Sequence, residues 1–441
     1  MIESLHLDNV GPAPEMAMEL APRLNLITGD NGLGKSFILD VIWWALTRKW
    51  PHDLNPNLTS GYPARPTDPK VPATIGFRLT SKVKKGVAYE SEYSPRDEAW
   101  IGKPGRPWNP GLVIYAHADG GFSVWDPARN YWKCKGDIDV QDRLPGYVFS
   151  AKEVWEGLEC DVRGKPTIVC NGLIRDWAGW IKENGLSAKR MALALRDLAP
   201  AGETMEPGPL IRISVDDARD IPTIKTAYAE AVPILYASAA VRRVLGLAYM
   251  LTWTWDEHMS AAALLGEPCA TQVVMLFDEV ESHLHPRWQR SILNSIFHIN
   301  QSIHEALSGE ARIQLIAATH SPLILASAEP FFDPDQDAWF DLDLGAERRV
   351  TLAKQTFVRH GTAGRWLTSP AFDLASEGRS LEAEKAIASG EVFLDRRRQG
   401  EPWTAEELDK VDQGLRATLP DVDRFWIRWS SVVDELRTPP G

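Results

Sequence analysis

Eight residues near the start of the chain, Gly29-Asp-Asn-Gly-Leu-Gly34-Lys35-Ser36, satisfy every fixed position of the pattern GxxxxGK[ST]. Glycines so placed let backbone N–H groups wrap a chain of phosphates, and a helix starting there adds partial positive charge. On this reading Gly29, Asp30, Asn31, Gly32, Leu33 and Gly34 form the cradle, and Phe37 continues it into the helix. Lys35 would reach the β- and γ-phosphates, and Ser36 would offer its hydroxyl to Mg2+.

A second stretch, VVMLFDEVESHLHP at 273–286, carries five apolar residues into two adjacent carboxylates, Asp278 and Glu279. Acids side by side at the end of a buried strand repel each other and lose solvation, so a cation is expected beside them. Asp278 suits the Mg2+ sphere, and Glu279 suits a general base that orients and activates the attacking water. Another buried run, IQLIAAT at 313–319, stops at His320. If the two runs are parallel strands, His320 reaches the same sheet edge and can hydrogen-bond the γ-phosphate or the water. Glu281, His283 and His285 invite a metal reading because they alternate along the chain, but no third histidine or partner carboxylate stands at metal-site spacing.

The elements that must position these residues are readable in outline. IESLHL (2–7) alternates as a half-buried strand, and LNLIT (24–28) is a short buried one. FILDVIWWALTRKW reads as a helix stopped by Pro51. Over 73–133, ATIGFRL, GLVIYAHA and FSVWD alternate with Gly and Pro turns and predict antiparallel hairpins. From about 151 the pattern is helical; in 187–198 Met191, Leu195 and Leu198 share a face, with Ser187 as the expected cap. LIRISV (210–215) reads as a strand, helices follow Ser238 and Pro286, and WFDLDL around Asp341 and Asp343 reads as an edge strand.

At 441 residues the chain has room for two or three domains, or one large domain with an insertion. A net charge of −12 excludes an overall basic footprint for nucleic acid. Local basic patches remain at Lys82, Lys84 and Lys85, at Arg242 and Arg243, and at Arg396 to Arg398. Cys134, Cys160, Cys170 and Cys269 show no CxxC spacing and read as reduced thiols. MIESLHLDNV lacks signal-peptide architecture and no apolar run approaches membrane-spanning length, so a cytoplasmic protein without a membrane partner is expected.

The glycine turn, then FDEVESHLHP, then AATHSP together look like the ATPase head of the ABC-type superfamily, and more narrowly resemble its OLD and RecF-like branch. The resemblance implies an α/β P-loop NTPase fold with a β-rich N-terminal lobe over 1–150 and a helical insertion over 151–235. A C-terminal ATPase lobe over 236–360 and a helical tail over 361–441 would complete it. It implies a signature loop, for which YASAAVRR at 236–243 is the best candidate: Ser238 stands at a helix start, while Ala240 replaces the family's glycine. It further implies Mg2+-dependent ATP hydrolysis in a homodimer that sandwiches two nucleotides. No sustained heptads lie between residues 36 and 238, so the coiled-coil arms of chromosome-structuring relatives are absent. The segment 364–387 resembles the C-terminal part of stand-alone ATPases of this branch, several of which serve anti-phage defence beside a separate effector protein. The function expected by resemblance is therefore a regulatory ATPase controlling such an effector. The alternative is a RecF-like DNA-binding ATPase of DNA repair, with DNA as its partner.

Overall fold

The computed structural model describes residues 1–437 apart from 82–83, 103–107, 130–131, 136–137, 142–145, 163, 201, 307–311 and 346–347. Lys82 and the side chain of Cys134 therefore lie outside the described residues. β1 (Ile2–Asp8) and β2 (Glu15–Glu19) form a hairpin that buries Leu5, Leu7, Met16 and Met18, the period-two pattern of a one-sided sheet. β3 (Leu24–Gly29) leads through the glycine turn into α1 (Lys35–Thr47). α1 ends at a left-handed Arg48, ahead of the expected stop; Pro51 instead opens α2 (Pro51–Leu54), a position where its missing N–H costs nothing. β4 (Thr74–Leu79), β5 (Val87–Ser94) and β6 (Ala99–Ile101) complete an antiparallel sheet in the order β2-β1-β4-β5-β6.

β7 (Leu112–Ala116) and β8 (Phe122–Trp125) form the expected hairpin, but every residue in both is buried. β9 (Trp132–Lys135) and β10 (Ile138–Gln141) pair with each other, and β11 (Gly146–Phe149) pairs with β8. α3 (Ala151–Glu156) follows a Ser150–Glu153 capping box, then come the hairpin β12 (Leu158–Asp161) and β13 (Pro166–Cys170), α4 (Leu173–Glu183) and α5 (Leu186–Leu198). β14 (Glu206–Pro207), β15 (Thr223–Thr226) and β16 (Ala229–Pro233) make a small sheet. Over 151–235, then, helices alternate with two small antiparallel sheets. Gly185, not Ser187, caps α5, because the helix begins one residue before that serine. The strand expected at 210–215 does not form: Ile211 makes a single bridge to Ile221, and Val215 is fully exposed with no surface to cover it.

The remaining elements are α6 (Ala239–Leu265), β17 (Gln272–Phe277), α7 (Pro286–Gln289), α8 (Ile292–Ala306), β18 (Arg312–Ala318), α9 (Pro322–Ala328), β19 (Asp337–Leu344) and β20 (Val350–Gln355). They complete the central sheet, ordered β11-β8-β7-β17-β18-β3-β19-β20. β7, β17, β18, β3 and β19 run parallel, flanked by antiparallel strands. Their C-terminal ends therefore share one rim, where open α/β sheets bind ligands. β19 is not an edge strand: it pairs with β3 and β20, and the largely exposed β20 takes the edge. Buried side chains of α1, including Trp43 and Trp44, share one apolar core with both large sheets, from Ile75 and Phe77 to Val274, Ile316 and Phe340. Among the described residues no helix is long and apolar enough to cross a membrane.

The chain divides into two compact units, Met1–Gly361 and Thr362–Gly441. The second consists of α10 (Ala363–Leu367), α11 (Leu381–Arg398), α12 (Ala405–Thr418) and α13 (Phe425–Arg437), around Phe393, Leu408, Leu415, Phe425 and Trp429.

Candidate functional site

The glycine turn is fixed by backbone conformations that few other residues tolerate. Gly29 has φ 130°, and a Cβ there would sit 2.2 Å from the Leu342 carbonyl oxygen. Gly34, with φ 101°, occupies the N-cap of α1, so the helix starts with its free N–H groups at the turn. Asp30, Asn31 and Gly32 are exposed, Leu33 is buried, and the Phe37 ring packs towards Gly11. Any contact of Phe37 with a phosphate would therefore come from its backbone. Lys35 is buried, and its ammonium donates to the carbonyls of Gly29 at 2.6 Å and Asp30 at 2.8 Å. Burial lowers the Lys35 pKa, opposed by the charges of Asp278, Glu281, Asp30 and Glu279.

The fully buried β17 delivers Asp278 to the same rim. Its N–H donates to the Ala116 carbonyl at 2.9 Å, fixing the strand end against β7. Burial pushes the Asp278 carboxyl up to about 6, as does the neighbouring Glu279, while a Ser36 hydrogen bond and the charges of Lys35 and Arg243 oppose the rise. Glu279 is half-buried in a left-handed conformation, φ 46°, uncommon for a residue with a side chain. β18 lies between β17 and β3, and the half-buried His320 follows two residues after its end. Burial and then Lys35 lower the His320 pKa, against Glu279 and a hydrogen bond to Gly29. Lys35, Ser36, Asp278, Glu279 and His320 thus meet at one place.

Ser238 is not joined to them. It is exposed, its hydroxyl accepts from the Val241 N–H at 3.3 Å as the cap of α6, and among the described residues it shares no hydrogen bond with that cluster. His283 is exposed with φ 62°, and His285 caps α7 by accepting from the Arg287 N–H.

Four charged residues have partners that the sequence reading did not assign; of these only Asp40 had not been singled out at all. Glu281 accepts from the Thr319 hydroxyl at 2.8 Å and from the His320 backbone N–H, tying the loop after β17 to the end of β18. Asp40 lies buried in α1, accepting from the Tyr115 hydroxyl at 3.0 Å; burial pushes its carboxyl up to about 7. An acid inside the apolar run FILDVIWW was the available signal. Asp341 accepts from the Thr28 hydroxyl and is pushed up to about 6 by burial. The Arg243 guanidinium is buried, with Asp119, Asp278 and Glu279 as its charged neighbours.

Solved structures to which the chain is similar include a SMC head bound to the C-winged helix domain of ScpA, with 13% identity and a TM-score of 0.39 over 80% of this chain and 97% of that one. The SMC head domain from Thermotoga maritima matches at 12% identity and TM-score 0.39 over 80% and 99%. The recombination mediator RecF matches at 13% identity and TM-score 0.34 over 80% and 98%. The family model described as "AAA domain, putative AbiEii toxin, Type IV TA system" matches residues 24–326, from the strand before the glycine turn to the helix after His320. The chain belongs to this AAA-domain family of P-loop ATPases.

Proposed function

We propose that this chain hydrolyses ATP with Mg2+. What supports the reading is the meeting of Lys35, Ser36, Asp278, Glu279 and His320 at one sheet rim. Ser36 and Asp278 provide hard oxygen donors, and four acids surround a single lysine, so the donor set fits Mg2+. When bound, Mg2+ would neutralise charge on the β- and γ-phosphate oxygens. Two of the three Lys35 ammonium donors already go to the loop carbonyls, leaving one for a phosphate oxygen. Glu279 takes the proton of the attacking water. His320 is held neutral by burial; with one ring nitrogen donating to Gly29, the other accepts from that water. Positioning and charge of this kind supply most of what phosphoryl transfer to water requires.

The finer reading is of a homodimer in which the exposed Ser238 reaches the nucleotide of the opposite subunit, and the cycle controls a separate effector protein in anti-phage defence. The family description, which names a toxin–antitoxin system, is in keeping with a partner protein. Phosphate release from ATP by the purified chain, compared with Glu279→Gln, tests the chemistry. A loss of at least ~100-fold with ATP binding retained is expected, about the scale of removing a general base; equal rates would remove the base from Glu279. The RecF-like alternative would appear as duplex-DNA affinity falling steeply with salt.

A further inference from the structure

The outer face of the first hairpin gathers three metal-ligating side chains that the nucleotide site does not use. Leu5, Leu7, Met16 and Met18 enter the apolar core, so the alternate residues His6, Asp8 and Glu15 share the solvent face. Asp8 and Glu15 are direct partners across β1 and β2, and His6 stands two residues before Asp8 on β1. His6 Nε2 lies 3.1 Å from Asp8 Oδ2 and 3.9 Å from Glu15 Oε1. One ligand atom from each of the three lies within 4.8 Å of the others. Carboxylates directly opposite each other on paired strands repel. Among the described residues neither acid pairs with a lysine or arginine, and His6 is the basic neighbour of both. A cation held by all three side chains removes that repulsion.

The surroundings hold these side chains in place. The Thr74 hydroxyl of β4 donates to Asp8 Oδ2 at 3.1 Å, an outer hydrogen bond of the kind that steadies a ligating carboxylate. Gly76 stands opposite His6 on β4 and brings no side chain against the imidazole. The turn between the strands is closed by the Asn9 N–H on the Pro14 carbonyl at 2.7 Å, and the Asn9 amide donates to the Asp68 and Val71 carbonyls, each at 2.8 Å. Two ligand atoms on one tetrahedral Zn2+, each about 2.0–2.1 Å from it, stand about 3.3 Å apart. The two separations from His6 Nε2 bracket that value. The imidazole favours Zn2+ over Mg2+, which prefers oxygen alone. We propose that His6, Asp8 and Glu15 form a Zn2+ site, with Nε2 and one oxygen of each carboxylate as ligands and a water in the fourth position. The ion fastens the edge strand β2 to β1. The inference goes beyond the ATPase reading and stands whether or not the glycine turn binds ATP.

For the test, the full chain, free of any affinity tag, is stripped with a chelator and titrated calorimetrically with Zn2+. Excess Mg2+ is present to occupy sites built of oxygen alone. One Zn2+ per chain is expected, bound at least about tenfold more weakly after His6→Ala or Glu15→Gln, since even the loss of an outer hydrogen bond costs a metal site that much. The Glu15 side chain is 69% exposed, so Glu15→Gln keeps the test decisive should His6→Ala fail to fold. His283→Ala combined with His285→Ala controls for the other pair of histidines and should leave the binding unchanged. No Zn2+ binding in the presence of Mg2+, binding indifferent to His6→Ala and Glu15→Gln, or binding lost with His283 and His285 would each overturn the proposal.

Discussion

At Gly29 a methyl group would sit 2.2 Å from a backbone oxygen, in a conformation with φ 130°. Gly29→Ala should therefore cost on the order of 1–3 kcal/mol of stability and also distort the turn; urea denaturation and ATP binding would record both losses. Asp40 offers a pH-dependent counterpart. Its carboxyl is raised from an ordinary value of 3.8 to about 7, so the fold binds its proton more tightly than the unfolded chain does. The stability this gives is fully present below pH ~4 and is lost as pH rises through about 7, on the order of 4 kcal/mol at most. Asp40→Asn keeps an acceptor for Tyr115 and has no charge to bury. It should exceed the parent in stability at pH 8 by urea denaturation, and the gap should close towards pH 4. The glycine turn and the acid-ended run were legible because each is a local pattern along the chain. Asp40, Glu281 and Arg243 were not, because their importance comes from Tyr115, Thr319 and Asp119, which only the fold brings near.

Between elements, the carboxylate of Glu281 fastens the ends of two neighbouring parallel strands, β17 and β18. Glu281→Ala removes both bonds and frees His320 to drift from the acid pair. A fall of about tenfold in the rate of ATP hydrolysis is expected, the order a misplaced group costs. ATP affinity should stay close to the parent's, as read by nucleotide titration beside a turnover assay. The buried strands were legible as unbroken apolar runs. The status of β19 was not: WFDLDL alternates as an edge strand does, yet β20 covers it, and strand order cannot be read from alternation. LIRISV shows the converse, since a run with strand-forming composition makes only the single bridge from Ile211 to Ile221 and does not extend into a strand.

For the whole molecule, the dimer reading can be tested through Ser238. Glu279→Gln with ATP should double in mass on size exclusion, and adding Ser238→Arg should abolish that doubling while leaving ATP binding by the monomer intact. The large α/β unit could be anticipated from motifs in order along the chain. The helical pattern of 151–235 did not disclose the short hairpins between its helices, because strands of two to five residues leave little periodic signal. The five parallel strands carry an implication for sequence evolution. In each of them successive side chains alternate between faces, so a one-residue insertion within 272–277 would turn over everything downstream and carry Asp278 away from the rim. The same insertion beside the exposed Val215, in a stretch outside both large sheets, would shift no register. Across descendants of this gene, length should thus be frozen in the parallel strands and free to drift near residue 215.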